Sequence, residues 1–142
     1  MGEEIPHPEG NIMESISAYF SQFSEMINKN KWVLFQNISF RQISDKEAYI
    51  RGELHLHGGF VLHIAEYMIT EPPDIIKRPK YRYQLQDGND VLIMRWDNAP
   101  HHSELPTYPF HKHCKNGQTV SSPEMNIRKL LSEMDEVLKD AL

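Results

Sequence analysis

Four of the chain's eight histidines lie within one short stretch, "RWDNAPHHSELPTYPFHKHC", which covers residues 95–114. They are His101, His102, His111 and His113. An imidazole changes charge close to neutral pH, so it can accept or release a proton there, and it is also a common metal ligand. The stretch is therefore a candidate for proton transfer, metal binding or phosphate binding. A polar loop that is merely rich in histidine is the alternative.

Two histidine pairs have a spacing that suits metal binding. His55–His57 and His111–His113 are i,i+2 pairs, whose imidazoles share one side of an extended chain. No spacing matches a zinc motif such as HExxH or paired CxxC. We therefore expect no cofactor, although a metal held by His111 and His113 stays open. His55 and His57 are equally compatible with the exposed face of a sheet.

Proton transfer to and from RNA needs few parts. Internal transesterification requires a base, an acid and a cation that stabilises the charged phosphorane. The four histidines of the stretch are the candidate acids and bases, led by His111 and His113, with His101 or His102 as substitute. Two further residues complete the predicted catalytic set. Arg95 is the cation that binds the phosphate, and Asp97 is the carboxylate that orients an imidazole.

A second segment, "KRPKYRYQLQ", interleaves cations with tyrosines, a pattern that suits single-stranded RNA. A solvated edge strand is the alternative. The predicted substrate-binding residues are Arg82, Tyr83, Asn98 and Lys112.

The charge distribution limits the size of such a contact. The formal net charge is -5, but residues 77–115 carry seven Lys/Arg against four Asp/Glu. A basic whole surface that binds nucleic acid is excluded, whereas a local anion site is plausible.

The periodicity predicts an α+β fold. Apolar residues at helical spacing follow Asn11, and a second helix is expected to start at Ser121-Ser122-Pro123-Glu124. Between them lie about five strands with tight turns at Gly58-Gly59 and Asp87-Gly88, which predict an antiparallel meander sheet. "TEPPDIIKRPK" is expected to interrupt the sheet. We expect a single domain over residues 1–142, with a loose leader at 1–10 and a functional loop at 98–122.

Composition also indicates the compartment. No apolar run approaches the ~18 residues that cross a membrane, and a single cysteine cannot form an internal disulfide. We therefore expect a cytoplasmic protein without a membrane partner.

The segment from Lys80 to Cys114 resembles the signature of the TumE-type toxin family. That signature is a tyrosine-rich hairpin, a stretch like R-[WY]-D-N-A-P-H-H, and a Pro-aromatic/His-His-K-H run. Phe110 is a departure, since His is as frequent there as an aromatic. The family-like positions are Tyr83, Arg95, Asp97, Asn98, Pro100, His101, His102, Pro109, His111, Lys112 and His113.

The resemblance implies a growth-inhibiting toxin that acts on RNA and is neutralised by a cognate antitoxin. Together with the residue chemistry it predicts a metal-independent endoribonuclease. A non-enzymatic binding module and a metal-dependent hydrolase with histidine ligands are the alternatives, and a homodimer stays open.

Overall fold

The structure is a computed structural model that describes residues 15–71 and 75–141. Two helices and seven strands are present in these ranges. In chain order they are α1 (Ser15–Lys29), β1 (Val33–Gln42), β2 (Glu47–Leu56), β3 (Val61–Glu71), β4 (Ile75–Gln86), β5 (Leu92–Asp97), β6 (His111–Cys114), β7 (Thr119–Ser121) and α2 (Ile127–Ala141). The predicted leader at residues 1–10 lies outside the described residues.

The seven strands form one antiparallel sheet in the order β1-β2-β3-β4-β5-β6-β7, so each pairs with its neighbour in sequence. This confirms the α+β class and the meander. The predicted number of strands was too low because β6 and β7 lie inside the segment predicted as a loop. They have only four and three residues, and their polar sequences, HKHC and TVS, give little hydrophobic alternation to detect.

Side-chain alternation divides the sheet into two chemically different faces. On one face the apolar residues of β2, β3 and β4, such as Ile50, Leu62 and Leu85, pack into the core. Both helices contribute to that same core, through residues such as Phe23 of α1 and Leu130 of α2. The other face therefore has no helix against it among the described residues, and its polar side chains remain accessible.

The start of α2 differs from the prediction. The helix begins at Ile127, where the side chain of Asn126 accepts a hydrogen bond from the Lys129 backbone amide at 2.8 Å. Asn126 is thus the N-cap. Ser122 does not cap the helix: its hydroxyl donates to the Pro123 carbonyl at 2.8 Å, and its backbone amide donates to Thr107 Oγ1 at 3.2 Å, which holds the preceding loop.

The predicted break in the sheet is also shorter than expected. Strand β4 already begins at Ile75, and its register with β3 shifts between Tyr67 and Ile69. Arg78 and Pro79 lie at this irregularity. Proline has no N–H to donate, but at an irregular position no hydrogen bond between the strands is lost. The shift turns Arg78 toward the helices, on the same face as Tyr81 and Tyr83.

That turn creates a buried polar network around Glu66. The Glu66 carboxylate accepts hydrogen bonds from the hydroxyls of Tyr19, at 2.5 Å, and Tyr83. Arg78 donates to the Tyr83 hydroxyl at 3.0 Å and to the Met125 carbonyl at 2.7 Å. Burial first, and then the Glu66 charge, hold the pKa of Tyr83 well above its ordinary value. The network joins α1 and the segment that precedes α2 to β3 and β4.

We expect Tyr83→Phe to lower the free energy of unfolding by about 1–3 kcal/mol, because it leaves Glu66 and Arg78 without a shared partner in the core. Urea denaturation measures the change. Tyr108→Phe is the matched control, since the Tyr108 side chain is 44% exposed. Equal stability of the two variants would show that the network contributes nothing.

Candidate functional site

The site lies on the open face of the sheet, at strands β5 and β6. Register pairs Asp97 with His111 and Arg95 with His113, so all four side chains point to the same side. His102 joins them from the loop after β5, in a left-handed backbone conformation with φ 64°. The structure thus brings together five of the six predicted catalytic residues. We call these five residues the histidine cluster.

Asp97 is the centre of the cluster. Its Oδ1 lies 2.8 Å from Nε2 of His111 and accepts the Ala99 backbone amide at 3.1 Å. Its Oδ2 lies 3.2 Å from Nε2 of His113 and accepts from Nε of Arg95 at 3.2 Å. The side chain is only 8% exposed, so these donors replace the water that a carboxylate normally binds.

His111 is buried, with a side chain only 2% exposed. Its Nδ1 lies 2.8 Å from the Pro109 carbonyl oxygen, and its Nε2 faces Asp97. Both partners are hydrogen-bond acceptors, one on each side of the ring. His111 is therefore held in a fixed orientation with little access to solvent.

His113 is more accessible, with 21% of its side chain exposed. Its Nδ1 is 3.2 Å from Thr119 Oγ1, and Arg95 approaches its Nε2 at 3.3 Å. Burial first, and then the Arg95 guanidinium, lower the pKa of His113 below its ordinary 6.5. The neutral form, which carries a lone pair that can accept a proton, is thereby favoured at pH 7.

The two loop histidines differ in position. The His102 ring lies 5.0 Å from that of His111 and 5.8 Å from that of His113, and its Nδ1 is 3.5 Å from Glu104 Oε2. His101 is exposed and contacts the cluster only through His102, at a ring distance of 6.5 Å. His102 is thus a member of the site, whereas His101 is at its rim.

Three of these imidazoles could also hold a metal ion. One ligand nitrogen from each of His102, His111 and His113 lies within 4.8 Å of the other two. In each ring Nδ1 points to an outer oxygen, as it does in metal-binding histidines, whose second nitrogen is usually held this way. Closing the cluster around zinc would require the nitrogens to approach to about 3.4 Å from one another.

Three predicted substrate-binding residues lie elsewhere. Tyr83 is fully buried on the helix-covered face, where it belongs to the Glu66 network. Lys112 pairs with Trp96 and so points away from His111 and His113, into a cavity of about 570 Å³ beside α2. Asn98 accepts from the Tyr81 amide at 2.9 Å and donates to the Pro79 carbonyl, which ties the loop to β4.

Arg82 is the exception among the predicted substrate-binding residues. It is exposed and sits directly opposite Asp97 across the β4–β5 pair. Sequence analysis also missed two residues that contact the cluster, Glu104 and Thr119. Thr119 could have been found by extending the alternation of His111 and His113 to a paired strand, but β7 is too short to be recognised alone.

The fold and the cluster together define a class of protein: an antiparallel α+β domain with a histidine, carboxylate and guanidinium site on an uncovered sheet face. A family model described as "Toxin TumE" matches residues 23–139, which is most of the chain. The chain belongs to the TumE toxin family, as the resemblance predicted. It is therefore a toxin of a toxin–antitoxin system, with a cognate antitoxin as its partner.

Other comparisons add no relative. No curated protein and no solved structure matches the chain. Within the described ranges, neither helix has the length and apolarity needed to span a bilayer.

We expect Asp97→Asn to destabilise the protein by about 3–5 kcal/mol, because an amide cannot neutralise the Arg95 guanidinium beside this buried position and has one acceptor oxygen instead of two. Urea denaturation at pH 7 measures the loss. Asp90→Asn is the control: Asp90 is exposed and has φ 64°, a conformation that asparagine also adopts. A small loss at Asp97, equal to that at Asp90, would contradict the central role of this carboxylate.

Proposed function

We propose that this toxin is an endoribonuclease whose histidine cluster cleaves RNA by proton transfer. The observation that supports it is the placement of two accessible imidazoles, His102 and His113, with ring centres 5.8 Å apart, and of the partly exposed Arg95 guanidinium 3.3 Å from His113 Nε2. A base, an acid and a phosphate-binding cation are the parts that internal transesterification needs.

In this mechanism His113 removes the proton from a ribose 2′-hydroxyl while that oxygen forms a bond to the adjacent phosphorus. The bond between phosphorus and the 5′-oxygen breaks, and His102 donates a proton to the departing oxygen. The products are a 2′,3′-cyclic phosphate and a 5′-hydroxyl. The base is assigned to His113 because burial and Arg95 favour its neutral form.

Arg95 and His111 have different tasks in this proposal. Arg95 uses Nε and Nη2 toward Asp97 and His113, which leaves Nη1 for a phosphate oxygen. His111 is too buried to touch RNA and acts as a positioning residue, because it holds Asp97 against the second imidazole. Arg82, across the strand pair from Asp97, supplies a further cation for the substrate.

A metal-dependent hydrolase is the second candidate, and one observation favours it: three histidine Nδ1 atoms point to outer oxygens around the cluster. In that case His102, His111 and His113 would be ligands rather than proton carriers. Incubation with total RNA in excess chelator separates the two candidates. Full cleavage supports proton transfer, whereas complete loss that zinc or manganese restores supports the metal.

We expect His113→Gln and His102→Gln each to reduce RNA cleavage by about 10²–10⁴-fold, the usual contribution of a general acid or base. The assay follows cleavage of a defined transcript and maps the product ends, where a 2′,3′-cyclic phosphate is expected. His57→Gln is the control, since His57 lies in the exposed turn after β2. Wild-type cleavage by both cluster variants would refute the assignment.

The pH dependence gives an independent test of His113. A base with a lowered pKa reaches its active neutral form at lower pH. The cleavage rate should therefore rise with pH over a range that lies below pH 6.5, which is the acidic limb of the pH–rate profile. Arg95→Gln removes a positive charge that lowers the pKa of His113, so the limb should move to higher pH. A pH–rate profile measures the shift. The control is Arg128→Gln, which removes a positive charge from an exposed position on α2. An unmoved limb, or one moved to lower pH, would contradict this role of Arg95.

A further inference from the structure

The open face of the sheet carries a second group of cations outside the histidine cluster. Arg41, Arg51, Lys80 and Arg82 are all exposed, and we call them the cationic strip. None of them forms an ion pair with another described residue. Among the acids of this face, Glu47 accepts from Tyr67, and Glu53 lies against His55 and His63. Neither acid pairs with a cation of the strip, so the four positive charges stay unpaired among the described residues.

Strand register places this strip in line with the site. The register pairs Arg51 of β2 with Ala65 of β3, and Ala65 with Arg82 of β4. The same line of paired residues continues to Asp97 of β5 and His111 of β6. It crosses four inter-strand spacings, about 19 Å. The small Ala65 side chain leaves the space between Arg51 and Arg82 open. The line leads directly from β2 into the cluster.

A neighbouring line adds aromatic rings. This line of paired residues takes one residue from each of strands β1 to β4: Arg41, Tyr49, Tyr67 and Lys80. The guanidinium carbons of Arg41 and Arg51 lie 5.9 and 5.8 Å from the centre of the Tyr49 ring. Both tyrosines are partly exposed. Rings beside cations on an open sheet suit unpaired bases, which stack on the rings while the phosphates contact the cations.

We propose that the cationic strip, with Tyr49 and Tyr67, is a binding track that guides single-stranded RNA into the histidine cluster. This inference rests on the proposed function and names the form of its substrate. An unpaired strand is favoured over a duplex, because only splayed bases can stack on side chains. Charge complementarity assigns the face to RNA, since the only uncompensated side-chain charges on these two lines are positive.

The test measures binding apart from cleavage. A labelled 2′-O-methyl oligonucleotide of about 12 nucleotides has no free 2′-hydroxyl and cannot be cleaved by transesterification, and its length matches a typical single-strand site. Fluorescence anisotropy gives Kd for the full chain over a range of salt. The variants are Arg41→Gln/Arg51→Gln and Tyr67→Leu. The control is Arg128→Gln/Lys129→Gln, a matched pair of exposed cations on α2.

We expect the arginine pair to raise Kd at least tenfold and to lower the slope of log K against log salt by about 1.4, since each single-strand phosphate contact contributes about 0.7. Tyr67→Leu should raise Kd about fivefold or more and leave the salt slope unchanged, because stacking involves no released counterion. The α2 control should bind like the wild type, and a duplex of the same sequence should bind more weakly.

Other outcomes overturn the inference. Unchanged RNA affinity in both variants would exclude the track, and equal affinity for the duplex would exclude a single-stranded substrate. If the arginine pair binds RNA normally but is no longer neutralised by the antitoxin, the surface belongs to the antitoxin. A failure of the proposed function gives a different result from these outcomes. In that case the wild type would bind the oligonucleotide through the strip but would cleave no RNA.

Discussion

The carboxylate of Asp97 is the constraint on which the rest of the site depends. A buried charge is costly unless it is paired and hydrogen-bonded, and here the Ala99 amide, the Arg95 guanidinium and two imidazole nitrogens converge on two oxygens. The two imidazoles belong to β6, so the same contacts that stabilise the carboxylate also fix the rings of His111 and His113. The loop amide of Ala99 brings the following segment into place. Preorganised groups of this kind need no rearrangement when charge develops on a substrate.

A second buried carboxylate, Glu66, shows how the same chemistry acts on the opposite face of the sheet. Its partners are the hydroxyls of Tyr19 and Tyr83, and Arg78 lies 3.9 Å from one of its oxygens. Helices cover this network, and its polar groups are occupied by one another, so it contributes stability and connects elements. Asp97 differs because its partners reach an uncovered surface. Both carboxylates are buried, so the exposure of their partners, rather than their own burial, distinguishes the two networks.

Sequence reasoning was strongest where alternation is regular. Period-two alternation places Tyr83 and Arg82 on opposite faces, as the structure has them, and the same rule, applied to "HKHC", turns Lys112 away from His111 and His113. The rule was applied there to the two imidazoles but not to Lys112 between them, because β6 has no hydrophobic alternation that marks it as a strand. The burial of His111 and the central position of Asp97 were beyond reach, since both depend on the pairing of β5 with β6. Local pattern indicates the residue types, and long-range pairing determines their positions relative to one another.

The meander order has a consequence for synthesis of the toxin. Each strand pairs with the strand made just before it, so the sheet can grow in the direction of translation. A nascent chain that ends after β5 already contains Arg95 and Asp97, but neither His111 nor His113. The cationic strip can form while the histidine cluster is still incomplete. Of the two features on the open face, the histidine cluster is therefore completed last, after the cationic strip has formed.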